Sequence, residues 1–242
     1  MSNLSKTNIR RTLKRFFART PLNKAYIVES SIRSNLESSI GYAKGLFLDL
    51  GCGETQYKPL FVDKVERYIG IDVPSSLYEV SNADIYASGD AIPFRSGIFD
   101  TVLCTQDLEH VKEPSVILGE ISRVLKSGGH LILTAPFSEP KHDEPYDFYR
   151  YTDHGLRYLS EKNGLSVISI KNHYGNLAMI GQHLASFAND KFLADKVTHQ
   201  PRLLLAPFVL PLCAFTQLVF LFLDKLFRLE THPVGFTLVA KK

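Results

Sequence analysis

Apolar positions in this chain fall into two periods. Short apolar runs bounded by glycine and turn residues occur at 46–50 (Leu-Phe-Leu-Asp-Leu), 68–72, near 84–88, at 99–106, at 130–134 and at 165–170. Runs of this length read as buried strands of a parallel sheet. Between them the pattern turns helical. A helix is expected over 26–43, and a short one near 58–65 with Pro59 tolerated in its first turn. Residues 115–126 predict an amphipathic helix with Val116, Ile117, Ile121, Val124 and Leu125 inward, ended by Gly128-Gly129. Another runs over 152–162 and closes at Asn163-Gly164, a further one covers 176–190, and 235–240 is a final strand. Strands alternating with helices imply a parallel sheet covered on both faces.

Two stretches fall outside this alternation. Residues 7–19 carry Ile9, Leu13, Phe16 and Phe17 on one helical stripe and Arg10, Arg11, Lys14, Arg15 and Arg19 on the other face. A basic amphipathic helix suits a membrane surface or an acidic partner, or it packs its stripe and solvates its charges. Its Arg-rich, acid-free character also fits a mitochondrial transit peptide. Residues 203–223 hold no charge and include Pro207 and Pro211. That length suffices to span a bilayer. The prolines suggest a re-entrant or interfacial hairpin instead, while a helix buried on the sheet or in an oligomer interface is the soluble alternative.

With 242 residues, 45% apolar and 22% charged, the chain has material for one full core plus appendages. A net charge of +3 gives no reason to expect nucleic acid. Seven of the 28 basic residues lie in the first 24 positions, and the first acid is Glu29. No secretory signal is visible in that basic segment. Cys52, Cys104 and Cys213 lack paired spacing, which points to a reducing compartment and to no metal site.

The candidate chemistry starts at the end of the first strand. Gly51 and Gly53 permit a tight turn and close ligand approach, as at the carboxyl end of a strand in an open α/β sheet. Asp49, two residues earlier, would repel a pyrophosphate and suits a cationic ligand with an amino group. Asp72 follows Gly51 by 21 residues, close to the spacing of about 20 for an acid that holds ribose hydroxyls. Asp90 could accept from an adenine amino group. The third glycine of a dinucleotide fingerprint is absent, since Gln56 stands there.

Together Asp49-Leu-Gly-Cys-Gly53, Gly70-Ile-Asp72, Asp90-x-x-Pro93-Phe94, Phe99-Asp100, Leu108-Glu-His-Val111 and Arg123-Val-Leu-Lys-x-Gly-Gly129 resemble the class I S-adenosylmethionine-dependent methyltransferases, with a type 11-like domain. The resemblance covers about 44–174 and the last strand. Thr55 departs from it, because members often carry a third glycine there. The resemblance implies a Rossmann-like, seven-stranded, mostly parallel sheet with helices on both faces and an antiparallel last strand beside strand six. To this the chain adds an apolar, helical C-terminal insertion. The implied organisation is a basic helix over 1–25, a methyltransferase domain over 26–174, the insertion over 175–232 and the closing strand over 233–242.

The resemblance also implies S-adenosyl-L-methionine as cofactor, held by Asp49, Gly51, Cys52, Gly53, Asp72, Val73, Asp90, Ala91 and Gln106. Cys52 reads as a small loop residue, not a nucleophile. Methyl transfer from a sulfonium is an in-line displacement that needs positioning and, for a hydroxyl, a base. His110, beyond strand four, is the candidate base, although the Glu109-His110 pair is often structural in the family. The segment His142 to Thr152 looks like the post-strand-five segment of bacterial enzymes of glycan and cell-surface polysaccharide pathways. In it His142, Tyr146, Tyr149 and Arg150 are candidates for stacking on sugars and binding hydroxyls or phosphate; a loop pinned by its own Tyr and Arg hydrogen bonds is the other reading. His142 and Asp143 alone supply too few ligands for a metal. The expected acceptor is a small molecule, a glycan or a lipid-linked compound, at the inner face of a membrane in the cytoplasm. The rival readings are a non-catalytic cofactor-binding membrane adaptor and a nicotinamide-dependent oxidoreductase.

Overall fold

The computed structural model describes residues 17, 19–74, 82–193 and 203–242. The helix expected over 7–19 lies outside these, apart from Phe17 and Arg19. The chain forms two compact units, one of residues 1–31 and 174–234, the other of residues 32–173 and 235–242.

In the second unit the described residues form a seven-stranded sheet. Its strands are β1 Leu46–Leu50, β2 Arg67–Asp72, β3 Ile85–Tyr86, β4 Phe99–Thr105, β5 Leu125–Pro136, β6 Ser166–His173 and β7 Gly235–Lys241. The spatial order is β3-β2-β1-β4-β5-β7-β6. β1 to β5 run parallel, and β7 is inserted antiparallel between β5 and β6. This is the Rossmann-like sheet that the family resemblance implies. The helices are α1 Tyr26–Ser39, whose residues are divided between the two units, α2 Lys58–Phe61, α3 Pro114–Val124 and α4 Asp153–Lys162 in the sheet unit, and α5 Asn176–Phe192 and α6 Ala206–Leu226 in the other.

β1 is buried because it is central: Phe47, Leu48 and Leu50 are almost fully enclosed, as are Val102, Leu103 and Cys104 on β4. α3 starts with Pro114 in its first turn and buries Ile117, Leu118, Ile121 and Val124. Val116, expected inward, is 47% exposed, and Leu118 fills the inner row instead. The helix also ends earlier than Gly128-Gly129 suggest. Leu125 is already extended and pairs with Phe99 of β4. The two glycines lie inside β5, where Gly128 N–H donates to the Lys242 carbonyl and Lys242 N–H to that of Gly129. Strand pairing satisfies these backbone groups, so the helix has no reason to continue. α4 is capped as its sequence implies: the Thr152 hydroxyl accepts from Gly155 N–H at 3.0 Å.

The helical unit is built around polar contacts buried between α5 and α6. Asp224, 2% exposed, accepts from the N–H groups of Gly175, Leu177 and Ala178 at 2.9–3.2 Å, which caps α5 from outside its own sequence. Gln217 donates to the carbonyls of Pro21 and Asn23 and accepts from Ile27 N–H. The expected hairpin at Pro207 and Pro211 does not form. α6 is one helix of 21 residues with Pro207 in its first turn and Pro211 inside it. The N–H that Pro211 lacks would have bonded residue 207, close to the helix start, so its cost is small. The buried positions of α6 are Val209, Cys213, Gln217 and Asp224. Its outward residues include Phe208, Leu212, Phe215, Leu218, Phe222 and Leu226.

Candidate active site at the carboxyl ends of the parallel strands

The turn after β1 is shaped by backbone that only glycine adopts freely. Gly51 and Gly53 sit at φ 67° and 49°. A β-carbon at Gly51 would stand 2.6 Å from the Asp107 carboxyl carbon, whereas one at Gly53 would meet nothing within 4 Å. The loop is therefore packed on one side and open on the other. Gly51 and Cys52 donate their N–H groups to the Ile71 carbonyl, which ties the loop to the end of β2. Thr55 also takes a positive φ of 52°, the conformation that a glycine at this position would adopt without strain.

Three carboxylates converge on this loop. Asp49 lies opposite Gly70 of β2 and Leu103 of β4, 3% exposed. Its Oδ2 accepts from the Tyr68 hydroxyl, and its Oδ1 has no hydrogen-bond partner among the described residues. Burial raises its pKa to about 7, with Asp72 and Asp107 adding to the effect. Asp72 accepts from Gly53 N–H at 2.6 Å and from Val73 N–H at 2.7 Å. A carboxylate has about four lone-pair directions, so Asp72 keeps acceptor capacity. Burial, then the Asp72 charge, raises Asp107 to about 6. No ion pair neutralises these three among the described residues. The Cys52 thiol, in this acidic setting, is pushed up to about 12 by burial and the carboxylates around it, so it is no nucleophile.

Tyr68 was not singled out as a site residue in sequence. Tyr68 reads as an ordinary strand residue, and only the β1–β2 register brings its hydroxyl to Asp49. Gln106 is bound to the neighbouring strand, its Nε2 donating to the Thr134 hydroxyl at 3.1 Å. Asp90 and Ala91 are exposed on the turn beyond β3.

The acceptor candidates lie on a second loop. Residues 137–152 are laced to the turn after β4: Phe148 N–H donates to the Glu109 carbonyl, Tyr149 Oη to that of Lys112 and Tyr151 Oη to that of Leu108. Arg150 corrects the sequence expectation. Its guanidinium donates to both oxygens of Asp147 at 2.6 and 2.9 Å and to the carbonyls of Glu139, Pro140 and Tyr149. It is committed to holding the loop and is not presented to a ligand. Tyr149 keeps a partly exposed ring with an anchored hydroxyl, and Tyr146 is 55% exposed on the rim. His142 stands edge-to-face with His110, ring centroids 4.9 Å apart. Burial holds the His110 imidazole below its usual range.

Residues 48–133 match the family model described as "Methyltransferase domain". Over 117 residues, 44% of this chain and 50% of the relative, the sequence is 27% identical to a ubiquinone biosynthesis O-methyltransferase of Pseudomonas aeruginosa. Over 97 residues, 37% of this chain and 36% of the relative, it is 32% identical to an uncharacterised methyltransferase of Mycobacterium leprae. The chain thus spans about half the length, or less, of the curated relatives it matches. A solved S-adenosylmethionine-dependent methyltransferase of Archaeoglobus fulgidus superposes with a TM-score of 0.55 at 13% identity, covering 94% of this chain and 98% of that one. Fold, loop and matched segment together define the sheet unit as a methyltransferase domain. Its fold is that of solved S-adenosylmethionine-dependent methyltransferases, and residues 48–133 are similar to the methyltransferase domain of that class.

The cofactor of this class is S-adenosyl-L-methionine, which carries an ammonium and a sulfonium. The residues present fit it: the unpaired Asp49 Oδ1 and the net negative charge around the loop suit cations, and the space beside Gly53 admits a ligand. When bound, the cofactor supplies an activated methyl group.

Proposed function

We propose that this protein transfers a methyl group from S-adenosyl-L-methionine to a small-molecule, glycan or lipid-linked acceptor at a membrane surface. The observation that carries the reading is the trio Asp49, Asp72 and Asp107, gathered around an open glycine turn and without an ion pair among the described residues. Asp49 would hold the amino group, Asp72 the ribose hydroxyls, and Asp90 with Ala91 the adenine. His110, in the turn after β4 with its Nδ1 2.9 Å from the Tyr146 carbonyl, would face the acceptor. Tyr146 and Tyr149 offer ring faces at the rim.

The membrane part of the proposal rests on α6. Its buried stripe contains Gln217 and Asp224, while Phe208, Phe215 and Phe222 are 76%, 67% and 61% exposed. An apolar face this rich in phenylalanine, turned outward from a polar seam, suits hydrocarbon better than water. β6 and β7 are neighbours in one sheet, so the chain between them must start and end on the same side of a bilayer. A single crossing by α6 is incompatible with that, and the helix is proposed to lie in the interface.

The test is incubation with deuteromethyl cofactor and a membrane extract, followed by mass spectrometry for the species that gains the label. Calorimetry without detectable cofactor binding would end the methyltransferase reading. Cofactor binding with no labelled product would favour the adaptor. For the membrane claim, the protein should pellet with membranes, with tags at both termini reporting from the cytoplasmic side. Replacing Phe215 and Phe222 by Glu should release it; a wild type that stays soluble at low salt refutes the claim.

A further inference from the structure

The loop that places His142 against His110 also closes on a carboxylate that has no partner. Glu109 is 0% exposed, and neither side-chain oxygen accepts a hydrogen bond among the described residues. It does not face a hydrophobic wall. Its Oε1 lies 4.0 Å from His110 Nε2. A carboxyl enclosed in this way leaves both of its oxygens unsatisfied among the described residues.

Both imidazoles stand beside Glu109, edge to face with ring centroids 4.9 Å apart. His110 Nδ1 lies 2.9 Å from the Tyr146 carbonyl and His142 Nδ1 lies 3.1 Å from the Pro140 carbonyl. The Tyr146 carbonyl only accepts, so His110 Nδ1 carries the proton and its Nε2 keeps its lone pair; His142 Nδ1 lies between the Pro140 carbonyl and, at 3.4 Å, the Arg150 guanidinium, so its ring can offer a lone pair from either nitrogen. Fixing the tautomer through a backbone carbonyl is how metal-binding histidines are oriented. One ligand atom from each of Glu109, His110 and His142 lies within 4.8 Å of the others. Bonds of ~2.0–2.1 Å arranged tetrahedrally place ligand atoms ~3.4 Å apart, so small side-chain rotations close the set. Asp143 Oδ2 stands 3.9 Å from His110 Nε2 on the outer side.

We propose that Glu109, His110 and His142 bind a zinc ion whose fourth position is open to a hydroxyl-bearing acceptor. Two imidazoles and one carboxylate with a free position form the ligand set of catalytic zinc sites, and imidazole nitrogen disfavours magnesium and calcium. The role of the ion rests on the methyltransferase reading; the site does not. A hydroxyl held there loses its proton to solvent at lower pH than a free one. Its oxygen then forms the bond to the methyl carbon as the carbon–sulfur bond breaks, and that bond's electron pair stays on sulfur to leave a neutral thioether. The assignment sets aside the expectation of no metal site and makes His110 a ligand in place of a general base. The sequence pairs only Glu109 with His110 and His142 with Asp143; the loop joins the two pairs.

The test is equilibrium dialysis of the tag-free full chain against Zn2+, with metal counted by mass spectrometry, and cobalt substitution read in the visible spectrum. One zinc per chain and the absorption of four-coordinate cobalt are expected. His142→Ala should abolish both, weakening zinc by more than the about 10–100-fold that loss of an outer partner costs. His142 is half-buried in a loop, so this variant keeps the question open to refutation if Glu109→Gln does not fold. Absence of bound zinc, or equal binding by wild type and His142→Ala, overturns the site. Calorimetry with S-adenosyl-L-methionine on the same samples separates the two readings. Cofactor binding without zinc removes only the metal site. Zinc binding without cofactor leaves the site standing and removes its role in methyl transfer.

Discussion

Asp49→Asn tests the charge logic of the cofactor crevice, because it removes one titration and changes almost no volume. Burial raises the Asp49 pKa from 3.8 to about 7. Across that window the folded chain keeps a proton that the unfolded chain has released, so the folded state binds more protons and stability falls as pH rises. Each pH unit is worth about 1.4 kcal/mol, which makes the full penalty roughly 4 kcal/mol above pH 7. Asparagine does not titrate. Its amide adds one buried donor without a partner, a cost of about 1–3 kcal/mol that is the same at every pH. The stability difference between variant and wild type should therefore move by roughly 3 kcal/mol in favour of asparagine between about pH 5 and about pH 8. Urea unfolding of cofactor-free protein, with amide exchange of β1 as the probe of the sheet unit, measures it. Cofactor binding should show the opposite preference. The ionised Asp49 attracts the ammonium, so wild-type affinity should fall up to about tenfold per pH unit below 7 and the asparagine variant should bind weakly at all pH values. A stability difference that is the same at both pH values refutes the buried-charge argument, and a wild-type affinity independent of pH refutes the contact with the ammonium.

Asp72→Ala removes the acceptor of Gly53 N–H together with the proposed ribose contact, and calorimetry should show cofactor binding weaker by roughly 1–3 kcal/mol. Asp224→Ala strips three N–H groups at the start of α5 of their shared acceptor and should destabilise the helical unit by roughly 2–4 kcal/mol, read by thermal unfolding, with cofactor affinity unchanged. Arg150→Ala leaves Asp147 buried without its partner and should cost about 2–3 kcal/mol of stability along with turnover. Tyr146→Ala, on an exposed ring, should lower turnover while melting temperature and cofactor affinity stay near wild type; equal losses in both variants would make the whole loop a scaffold.

The strands and the glycine turn were legible because their signals are local. β1 occupies the 46–50 span that its apolar run marks, and β7 takes the antiparallel place beside β6 that the family resemblance implies. The helix end near Gly128 was misplaced because pairing with Phe99 and with Lys242 decides it, and both partners are remote in sequence. Arg150 looked like a ligand-binding cation, since its type and aromatic neighbours are visible while its five acceptors are not.

The sequence by itself determined the sheet, the acids beside its first loop and the uncharged run over 203–223, because hydrophobic period and residue spacing act over a few residues. Only the tertiary structure decided which of those groups is left without a partner. Tyr68 meets Asp49 through the register of two strands, Glu109 meets His142 through a loop folded back over 30 positions later, and α6 turns its phenylalanines outward because its glutamine and aspartate are needed inside. Burial without a partner is a property of the whole fold, since it depends on what every other residue has failed to supply.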